Sequence, residues 1–415
     1  MYHATRASDP ELYAIVAAEL DRQSHTIEMI ASESIAAPEV MEMSGCIFTN
    51  KTEEGYPGAR FQAGSKEADR LEHLAIQRAK DLYGAEHANM QPYSGTTANY
   101  CVYSAVLKPG DSVLSMRLDQ GGHLTHGSPA NFLEKVYDYH FYGVHPDTEL
   151  INYEELEEKA MELQPRLIIG GGSSYPRLID YQRMADISQQ SGALLMIDMA
   201  HVAGLVAAKV IPSPIPHADF VTSSTTKTFC GPRSGMILCK AAHAKKLDKG
   251  VFPGTLGSLH LNTMAAKAFM MKHAGSHQFR LVMEQVIINA RALAAALSSH
   301  GFRIVSGGTD NHIVMTDLRP KNLTGNIFDE ALEAIGITVN KNLIPFDPEG
   351  PRVTSGIRIG VTNVSQRGMK EQEMESIAAI MSQVASNPQD QNNLISCRSQ
   401  VHDLIERFPL YPDGF

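Results

Sequence analysis

The stretch Ala193-Leu-Leu-Met-Ile-Asp198 reads as a short apolar strand that ends on a carboxylate. A second stretch, Phe220-Val-Thr-Ser-Ser-Thr-Thr-Lys227, passes from apolar to hydroxyl residues and ends on a lysine. Apolar runs of this length predict buried strands, and open α/β sheets bind ligands at the carboxyl ends of neighbouring strands. The sequence therefore predicts that Asp198 and Lys227 share one ligand site.

This pair of side chains has a specific chemical use. A lysine amine can hold an aldehyde as a Schiff base, and a carboxylate can keep a pyridine nitrogen protonated, so that the ring withdraws electrons from a carbanion. Pyridoxal 5'-phosphate (PLP) needs both groups. A single aspartate and a single lysine are more often solvated surface charges, so the surrounding motifs decide between the two interpretations.

Strands and helices alternate through the middle of the chain. Candidate strands are residues 112–116, 135–140, 167–169, 194–197, 220–223 and 235–239, and candidate helices are 153–163 and 181–190. This order predicts an α/β fold on a mainly parallel sheet with helices on both faces.

Length and local signals predict more than one domain. A chain of 415 residues with 43% hydrophobic content can form a large domain and a smaller one. Asp9-Pro10 predicts an N-capped helix, Ser65 predicts a cap for a helix that ends at Gly84, and residues 261–300 predict a long helical link. We expect an N-terminal arm (1–50), a large PLP-binding domain (51–280) and a small C-terminal α/β domain (281–415).

The charge and the cysteine content of the chain exclude some classes of binding partner. A net charge of −10, without a run of five like charges, argues against nucleic acid and against an anionic membrane surface. The N-terminus lacks an apolar segment, and no stretch approaches the roughly 18 apolar residues of a membrane span, so we expect a cytoplasmic protein. The five cysteines have no C-x-x-C spacing, so neither a disulfide framework nor a metal site is expected.

Five longer motifs strengthen the interpretation of Asp198 and Lys227 as a PLP site. They are Ile30-Ala-Ser-Glu33, Thr49-Asn-Lys-Thr-Glu-Glu-Gly-Tyr-Pro-Gly58, Gly121-Gly-His-Leu-Thr-His-Gly-Ser-Pro129, Ile197-Asp-Met-Ala-His-Val-Ala-Gly-Leu-Val206 and Thr225-Thr-Lys-Thr-Phe-Cys-Gly-Pro-Arg233. Together they resemble the serine hydroxymethyltransferase family, in the family's order. The resemblance implies a fold-type I, aminotransferase-like PLP-dependent transferase that acts on a small amino acid and passes a one-carbon unit to tetrahydrofolate.

The cofactor site starts from a turn of hydroxyl and glycine residues, Ser94-Gly95-Thr96, ahead of a helical stretch. A helix start of this kind offers free N–H groups to a phosphate, although such a turn alone is more often a simple helix cap. The resemblance implies that this turn, Ser224 and Gly257 of the partner subunit bind the cofactor phosphate. The other cofactor residues that it implies are Lys227 for the Schiff base, His123 stacked on the ring, Asp198 at the ring nitrogen, and Ser173 and His201 at the phenolic oxygen.

The substrate site is implied in the same way. Arg358 is the candidate clamp for the substrate carboxylate, because a guanidinium fork matches a carboxylate in two parallel hydrogen bonds, and Ser32 would assist it. Glu54 of the partner subunit would transfer a proton near the substrate hydroxyl, with Thr52 beside it. Sites shared in this way imply a homodimer, with a tetramer as the larger alternative. The folate site that the resemblance implies comprises Leu118, Gly122, His123, Leu124 and Phe346.

The chain departs from the family pattern around the substrate and the folate. Thr52 and Gln62 each stand where the family has tyrosine, and Tyr93 and Thr226 each stand where it has histidine. Phe346 stands where an asparagine contacts the pterin. Because the lysine and its aspartate are retained, these differences indicate altered specificity.

Three functions remain open from the sequence. The first is a folate-linked hydroxymethyltransferase of serine or a relative such as α-methylserine. The second is a folate-independent aldolase or transaldolase of β-hydroxy amino acids, and the third is a non-catalytic paralogue, which the retained Lys227 and Asp198 disfavour.

Overall fold

The computed structural model describes residues 3–412, in two compact units. The larger unit is Ala36–Glu284, and the smaller unit combines the residues up to Ile35 with those from Gln285 onward. The early segment joins the smaller unit by strand pairing, since Ile27–Glu28 lies parallel to Ile337–Thr338. The chain up to Ile35 is therefore part of that unit, whereas the sequence predicts a separate arm of residues 1–50.

A seven-stranded sheet organises the larger unit. Its strands are β1 (His87–Asn89), β2 (Ser112–Met116), β3 (Asp138–Tyr142), β4 (Leu167–Gly170), β5 (Leu194–Asp198), β6 (Phe220–Ser224) and β7 (Gly235–Cys239). They lie in the order β1-β7-β6-β5-β4-β2-β3. All neighbours from β6 to β3 are parallel, and β7 is antiparallel to both of its neighbours. The sheet is thus mainly parallel, as predicted.

Helices connect and cover these strands. They are Pro38–Ser44, Lys66–Tyr83, Gly95–Val106, Tyr153–Leu163, Tyr181–Ser191, Ala203–Ala207, Ala244–Val251 and Leu261–Ala274. The core includes Leu167, Met196, Phe220 and Ile237 of the central strands, packed with Val102 of the helix Gly95–Val106, and all five are fully buried. Strands buried this deeply explain why their sequences are continuous apolar runs.

The smaller unit has a four-stranded antiparallel sheet. Its strands are β8 (Arg303–Ile304), β9 (Ile313–Asp317), β10 (Asn340–Asn342) and β11 (Gly356–Gly360), in the order β8-β9-β11-β10. Its helices are His3–Ser8, Pro10–Ser24, Gly325–Ala334, Thr362–Gln366, Glu371–Ser386 and Gln391–Arg407. Asp9 accepts a hydrogen bond from the N–H of Leu12 (3.1 Å), so the predicted cap is present.

Three local predictions were wrong in detail. The strand expected at 135–140 begins at Asp138, because Asn131 caps a short 3-10 turn, Phe132–Lys135. Ser65 precedes its helix but does not cap it, since its hydroxyl donates to the carbonyl of Gln62. The predicted link at 261–300 is two helices that are interrupted at Gly275 and Ser276.

One helix among the described residues, His277–Ser299, is long and apolar enough to cross a membrane by length and composition alone. The sequence predicts no such span. Within the helix, Met283, Val286, Ala290, Leu293 and Leu297 are buried, at helical spacing. Core helices of soluble proteins meet the same criterion.

Glycines bring the loops at the carboxyl edge of the sheet into contact. A Cβ on Gly171, which has a φ of +106°, would lie 2.1 Å from the carbonyl oxygen of Asp198. A Cβ on Gly172 would lie 2.4 Å from the carbonyl oxygen of Gly121. The loop after β4 therefore packs against the end of β5 and against the loop after β2, with no room for a side chain.

A buried polar network supports the hairpin Gly55–Tyr56/Ala59–Arg60. Arg60 pairs with Asp69 (2.8 Å) and Glu72, and Glu72 accepts from Gln91 (2.9 Å). Lys267, also buried, donates to the carbonyl oxygens of Met90 and Gly235. Burial lowers the pKa of Lys267 to about 7, against the opposing charge of Glu72.

Alanine at Gly171 is expected to destabilise the protein more than alanine at Gly192. Both glycines have positive φ, but nothing lies within 4 Å of a Cβ on Gly192. Each substitution carries the left-handed backbone cost of about 1–2 kcal/mol, and the clash adds about 1–3 kcal/mol at Gly171 alone. The free energies of unfolding in urea measure the difference, and equal losses would contradict the close packing at Asp198.

Candidate active site

Asp198 is a buried carboxylate at the carboxyl end of β5. It is 8% exposed. Its Oδ2 accepts from Asn99 Nδ2 (2.9 Å) and from His126 Nε2 (3.2 Å), and its Oδ1 accepts from the N–H of Ala200 (3.0 Å). Three donors around one buried carboxylate offset much of the cost of removing it from water.

These partners set the charge of Asp198. Burial acts to raise the pKa of this carboxyl, but the hydrogen bond and charge of His126, with the charges of His123 and Lys227, hold the pKa well below its ordinary range. The group is therefore ionised at neutral pH. A permanent anion at this position suits a ligand whose own nitrogen carries a proton.

Lys227 follows the neighbouring strand. Asp198 pairs in register with Thr222 of β6, and Lys227 begins the turn Lys227–Phe229 just beyond that strand. The turn is held by the hydroxyl of Thr228, which donates to the carbonyl of His201 (2.7 Å). The backbone of Lys227 has a φ of +54°, an uncommon conformation for a residue with a side chain. Such strain is frequent at functional sites.

The loop with two histidines is tied to Asp198 through buried polar groups. The N–H of Thr125 donates to His123 Nδ1 (3.2 Å), and Asn99 Nδ2 donates to Thr125 Oγ1 (2.8 Å). The rings of His123 and His126 meet edge to face, with their centroids 5.5 Å apart. The structure thus brings His123 to the same cluster as Asp198, as the prediction of a shared site requires.

Ser173 and His201 lie on the two loops that flank this cluster. Ser173 Oγ donates to the carbonyl of Gly122 (2.7 Å). His201 is 4% exposed and comes three residues after Asp198. Both residues therefore lie at the carboxyl edge of the sheet.

The predicted phosphate turn is at the start of the helix Gly95–Val106. Ser94 Oγ accepts from the N–H of Thr97 (3.1 Å), so its hydroxyl caps the helix, while the first-turn N–H groups of Gly95 and Thr96 have no acceptor within the helix. A Cβ on Gly95 would lie 3.3 Å from the backbone nitrogen of Ser224, so the two predicted phosphate elements are adjacent. The hydroxyl of Ser224 also bonds to that of Thr226 (2.8 Å).

Glu54 and Gly257 lie together within one chain. A Cβ on Gly257 would lie 3.6 Å from Glu54 Oε1. Thr52 is exposed. Tyr93 stacks on His260, with a centroid distance of 4.4 Å, and its hydroxyl donates to the carbonyl of Ser258. Of the residues that depart from the family pattern, Gln62 bonds directly to Glu54, whereas Thr226 bonds to Ser224 of the predicted phosphate site and Phe346 belongs to the smaller unit.

The remaining predicted residues are divided between the units. Leu118 and Leu124 of the larger unit are exposed, while Gly122 is closely packed, since a Cβ there would lie 2.3 Å from the carbonyl oxygen of Met116. Ser32, Phe346 and Arg358 belong to the smaller unit.

Arg358 lies on β11 of the smaller unit. Its Nε donates to Asn340 Oδ1 (3.1 Å). Burial lowers the pKa of its guanidinium to about 10, so the group remains charged at neutral pH. Phe346, in contrast, is half exposed.

Two direct partners of Asp198 are not among the residues that the sequence predicts for the site. His126 lies inside the quoted histidine motif, three residues after His123, and Asn99 lies one turn into the helix that follows the phosphate turn. Polar residues inside an apolar, predicted buried helix were the available signal for Asn99. His123, His126 and Asp198 also offer ligand atoms within 4.8 Å of one another, the spacing of a small metal site, although the sequence predicts no metal.

The fold and the cluster together define a class of protein. A lysine and a buried, ionised carboxylate lie at the carboxyl edge of a mainly parallel seven-stranded sheet, near first-turn N–H groups that have no acceptor within their helix. These groups fit PLP, and this is the arrangement of a fold-type I PLP-dependent enzyme. The family model for serine hydroxymethyltransferase matches residues 5–381, and the chain belongs to that family. The predictions of the family, of the fold class and of an enzyme are confirmed. Members of the family are PLP-dependent transferases, and PLP and tetrahydrofolate are their general cofactor and co-substrate.

Replacing His126 by leucine is expected to shift the acid sensitivity of the protein. In the wild type the pKa of Asp198 is lower in the folded protein than in the unfolded protein, where it is about 3.9. The ionised carboxylate therefore contributes its full stability above about pH 3.9, and this contribution is lost as pH falls below that value. Without His126, burial is opposed only by the remaining donors and charges, so the pKa of Asp198 is less depressed and a smaller part of the stability is lost as pH falls.

The midpoint of thermal unfolding, measured from about pH 6 down to about pH 2, tests this expectation, and the curve of His126→Leu should fall less steeply with acid than that of the wild type. His140→Leu is the matched control, because His140 forms an exposed pair with Asp138 (2.9 Å) that contributes less than about 1 kcal/mol. Parallel curves for the wild type and His126→Leu would show that His126 does not control the charge of Asp198.

Proposed function

We propose that this protein is a PLP-dependent hydroxymethyltransferase that cleaves or forms the Cα–Cβ bond of serine or of a serine analogue such as α-methylserine, with one-carbon transfer to tetrahydrofolate. The observation that carries the proposal is the anionic Asp198, held by Asn99 and His126 at the sheet edge where Lys227 lies. Family membership supports serine hydroxymethyl transfer as the general reaction.

The cofactor contributes an electron-withdrawing ring that stabilises a carbanion when it is bound. In the proposal, Lys227 supplies the amine and Asp198 keeps the ring nitrogen protonated. His123 would cover one ring face, and Ser173 and His201 would bond to the phenolic oxygen. Ser94, Gly95, Thr96 and Ser224 would bind the phosphate.

Arg358 is proposed to bind the substrate carboxylate, with Ser32 beside it. Its charge is retained although the group is largely buried. A carboxylate ligand would offset the cost of that buried charge and would be held in two parallel bonds. Glu54 is proposed to accept or donate the proton of the substrate hydroxyl.

The functional unit is proposed to be a homodimer with shared sites. Glu54 and Gly257 lie together in one chain, so one subunit can supply both of them to the site of the other. This supports the assignment of the two residues as a joint contribution. A tetramer would contain two such pairs of sites.

Thr52 supports a substrate larger than serine. A threonine in the place of a tyrosine opens a volume of several methyl groups. Two side chains of the same segment have other contacts, since the ring of Phe61 packs on Phe252 (5.7 Å between centroids) and Gln62 bonds to Glu54. Cleavage of the Cα–Cβ bond removes no proton from Cα, so a quaternary Cα is compatible with the chemistry.

A folate-independent aldolase or transaldolase of β-hydroxy amino acids is the second candidate. The observation that favours it is Phe346, which is half exposed and can stack on a pterin but cannot donate or accept a hydrogen bond through its side chain. The exposed Leu118 and Leu124, in contrast, suit the apolar part of a folate.

The substrate assignment predicts how Thr52 acts. Wild-type protein should cleave serine and α-methylserine faster with tetrahydrofolate than without it. In Thr52→Tyr, the ratio of kcat/KM for α-methylserine over serine should fall about tenfold or more, since one methylene in an apolar pocket changes this ratio by about 10- to 200-fold.

The same assays are run on Thr148→Tyr, a control at an exposed position outside the proposed site. An unchanged ratio in Thr52→Tyr would contradict a role of Thr52 in substrate size. Cleavage of threonine at equal rates with and without folate would favour the aldolase.

Mixed dimers test the shared site. An equal mixture of Glu54→Gln and Lys227→Ala subunits should regain about a quarter of wild-type activity, because half of the dimers are mixed and each mixed dimer has one complete site. Each variant alone should be inactive or nearly so. No recovery, despite subunit exchange shown by mass spectrometry of tagged chains, would contradict sharing.

A further inference from the structure

The side-chain amide of Gln62 contacts Glu54 at two points. The N–H of Glu54 donates to Gln62 Oε1 (2.7 Å), and Gln62 Nε2 donates to Glu54 Oε2 (3.4 Å). The first bond decides the orientation of the amide, because only its oxygen can accept from an N–H. Nε2 must then face the carboxylate.

A tight hairpin brings the two residues together. Gly55 has a φ of +85°, and a Cβ there would lie 2.5 Å from the carbonyl oxygen of Ala59. Next to this pairing, the N–H of Phe61 donates to the carbonyl of Glu54 (3.2 Å). The backbone therefore places residue 62 beside residue 54, whatever their side chains are.

The base of the hairpin is held on its inner side. Arg60, whose side chain is almost fully buried, donates to the carbonyl of Gly55 (2.7 Å) and pairs with Asp69 and Glu72. Ser65 Oγ donates to the carbonyl of Gln62 (2.8 Å). Gln62 is therefore attached to a supported backbone and can hold the carboxylate of Glu54.

We propose that Gln62 is a positioning residue, which holds Oε2 of Glu54 so that Oε1 carries the proton to and from the substrate hydroxyl. This inference rests on the proposed function. Oε1 is the oxygen that lies next to Gly257, the other residue assigned to the neighbouring site. A hydrogen bond to a charged group also restricts the rotation of a long side chain, so the reactive oxygen has one preferred position.

Gln62→Met tests the contact, because methionine has a similar length and no hydrogen-bonding amide. Loss of a hydrogen bond to a charged group corresponds to about a ten- to hundredfold change in rate. We expect kcat for α-methylserine and serine cleavage to fall by this factor. KM, and the Kd of glycine from calorimetric titration of the holoenzyme, should change less than about twofold, since Gln62 is proposed to act through Glu54.

Gln62→Glu separates positioning from packing. Its new carboxyl group has the shape of the amide and, when protonated, again offers both an acceptor and an O–H donor. Ionised, it lacks the donor and repels Glu54. The activity of this variant relative to wild type should therefore rise as pH falls, while that of Gln62→Met should stay constant.

Gln182 provides the matched controls, since its amide donates to Asp186 (2.8 Å) on an exposed helix face. Gln182→Met and Gln182→Glu should match wild type at every pH. Wild-type turnover of Gln62→Met, or a pH-independent activity ratio for Gln62→Glu, would overturn the role of Gln62 in an enzyme that is otherwise active. A wild-type protein that cleaves no β-hydroxy amino acid would instead overturn the proposed function.

Discussion

A carboxylate that is buried away from water needs hydrogen-bond donors from the protein, and this requirement shapes the centre of the larger unit. Asp198 is buried at a strand end and obtains its hydrogen bonds from Asn99, His126 and the N–H of Ala200. These donors come from three different segments of the chain. Each segment must place its donor within hydrogen-bond distance of the carboxylate, because a buried charge without donors is costly. The need to satisfy this one charge therefore restricts the conformation of the loops at this edge of the sheet.

Small residues make that convergence possible. Gly171 lies against the backbone of Asp198, Gly172 against Gly121, and Gly204 against the carbonyl of Thr228. Each contact is too close for a Cβ. Backbones that touch directly leave few alternative arrangements, and this rigidity suits a cofactor that must be held at several atoms at once.

The fold could be predicted from the sequence because the patterns that indicate strands and helices are local. Apolar runs gave β5 and β6 to within a residue, and the family motifs gave the class of enzyme, which the family match confirms. The donors to Asp198 were missed for a physical reason. Asn99 and His126 lie 99 and 72 residues away along the chain, and only the register of packed elements brings them to the anion.

Under the proposed function, the substrate preference depends on the space beside Thr52. Local sequence patterns do not predict that space, because it is set by how side chains from different parts of the chain pack.

The hairpin that carries Glu54 has a supported inner side and an exposed residue just before it. The inner side is held by the network of Arg60, Glu72 and Gln91, whereas Thr52 is exposed. A different side chain at position 52 would leave those ion pairs intact. Under the proposed function, this position is therefore a suitable place to vary the amino-acid substrate in the laboratory while the scaffold keeps its folding stability.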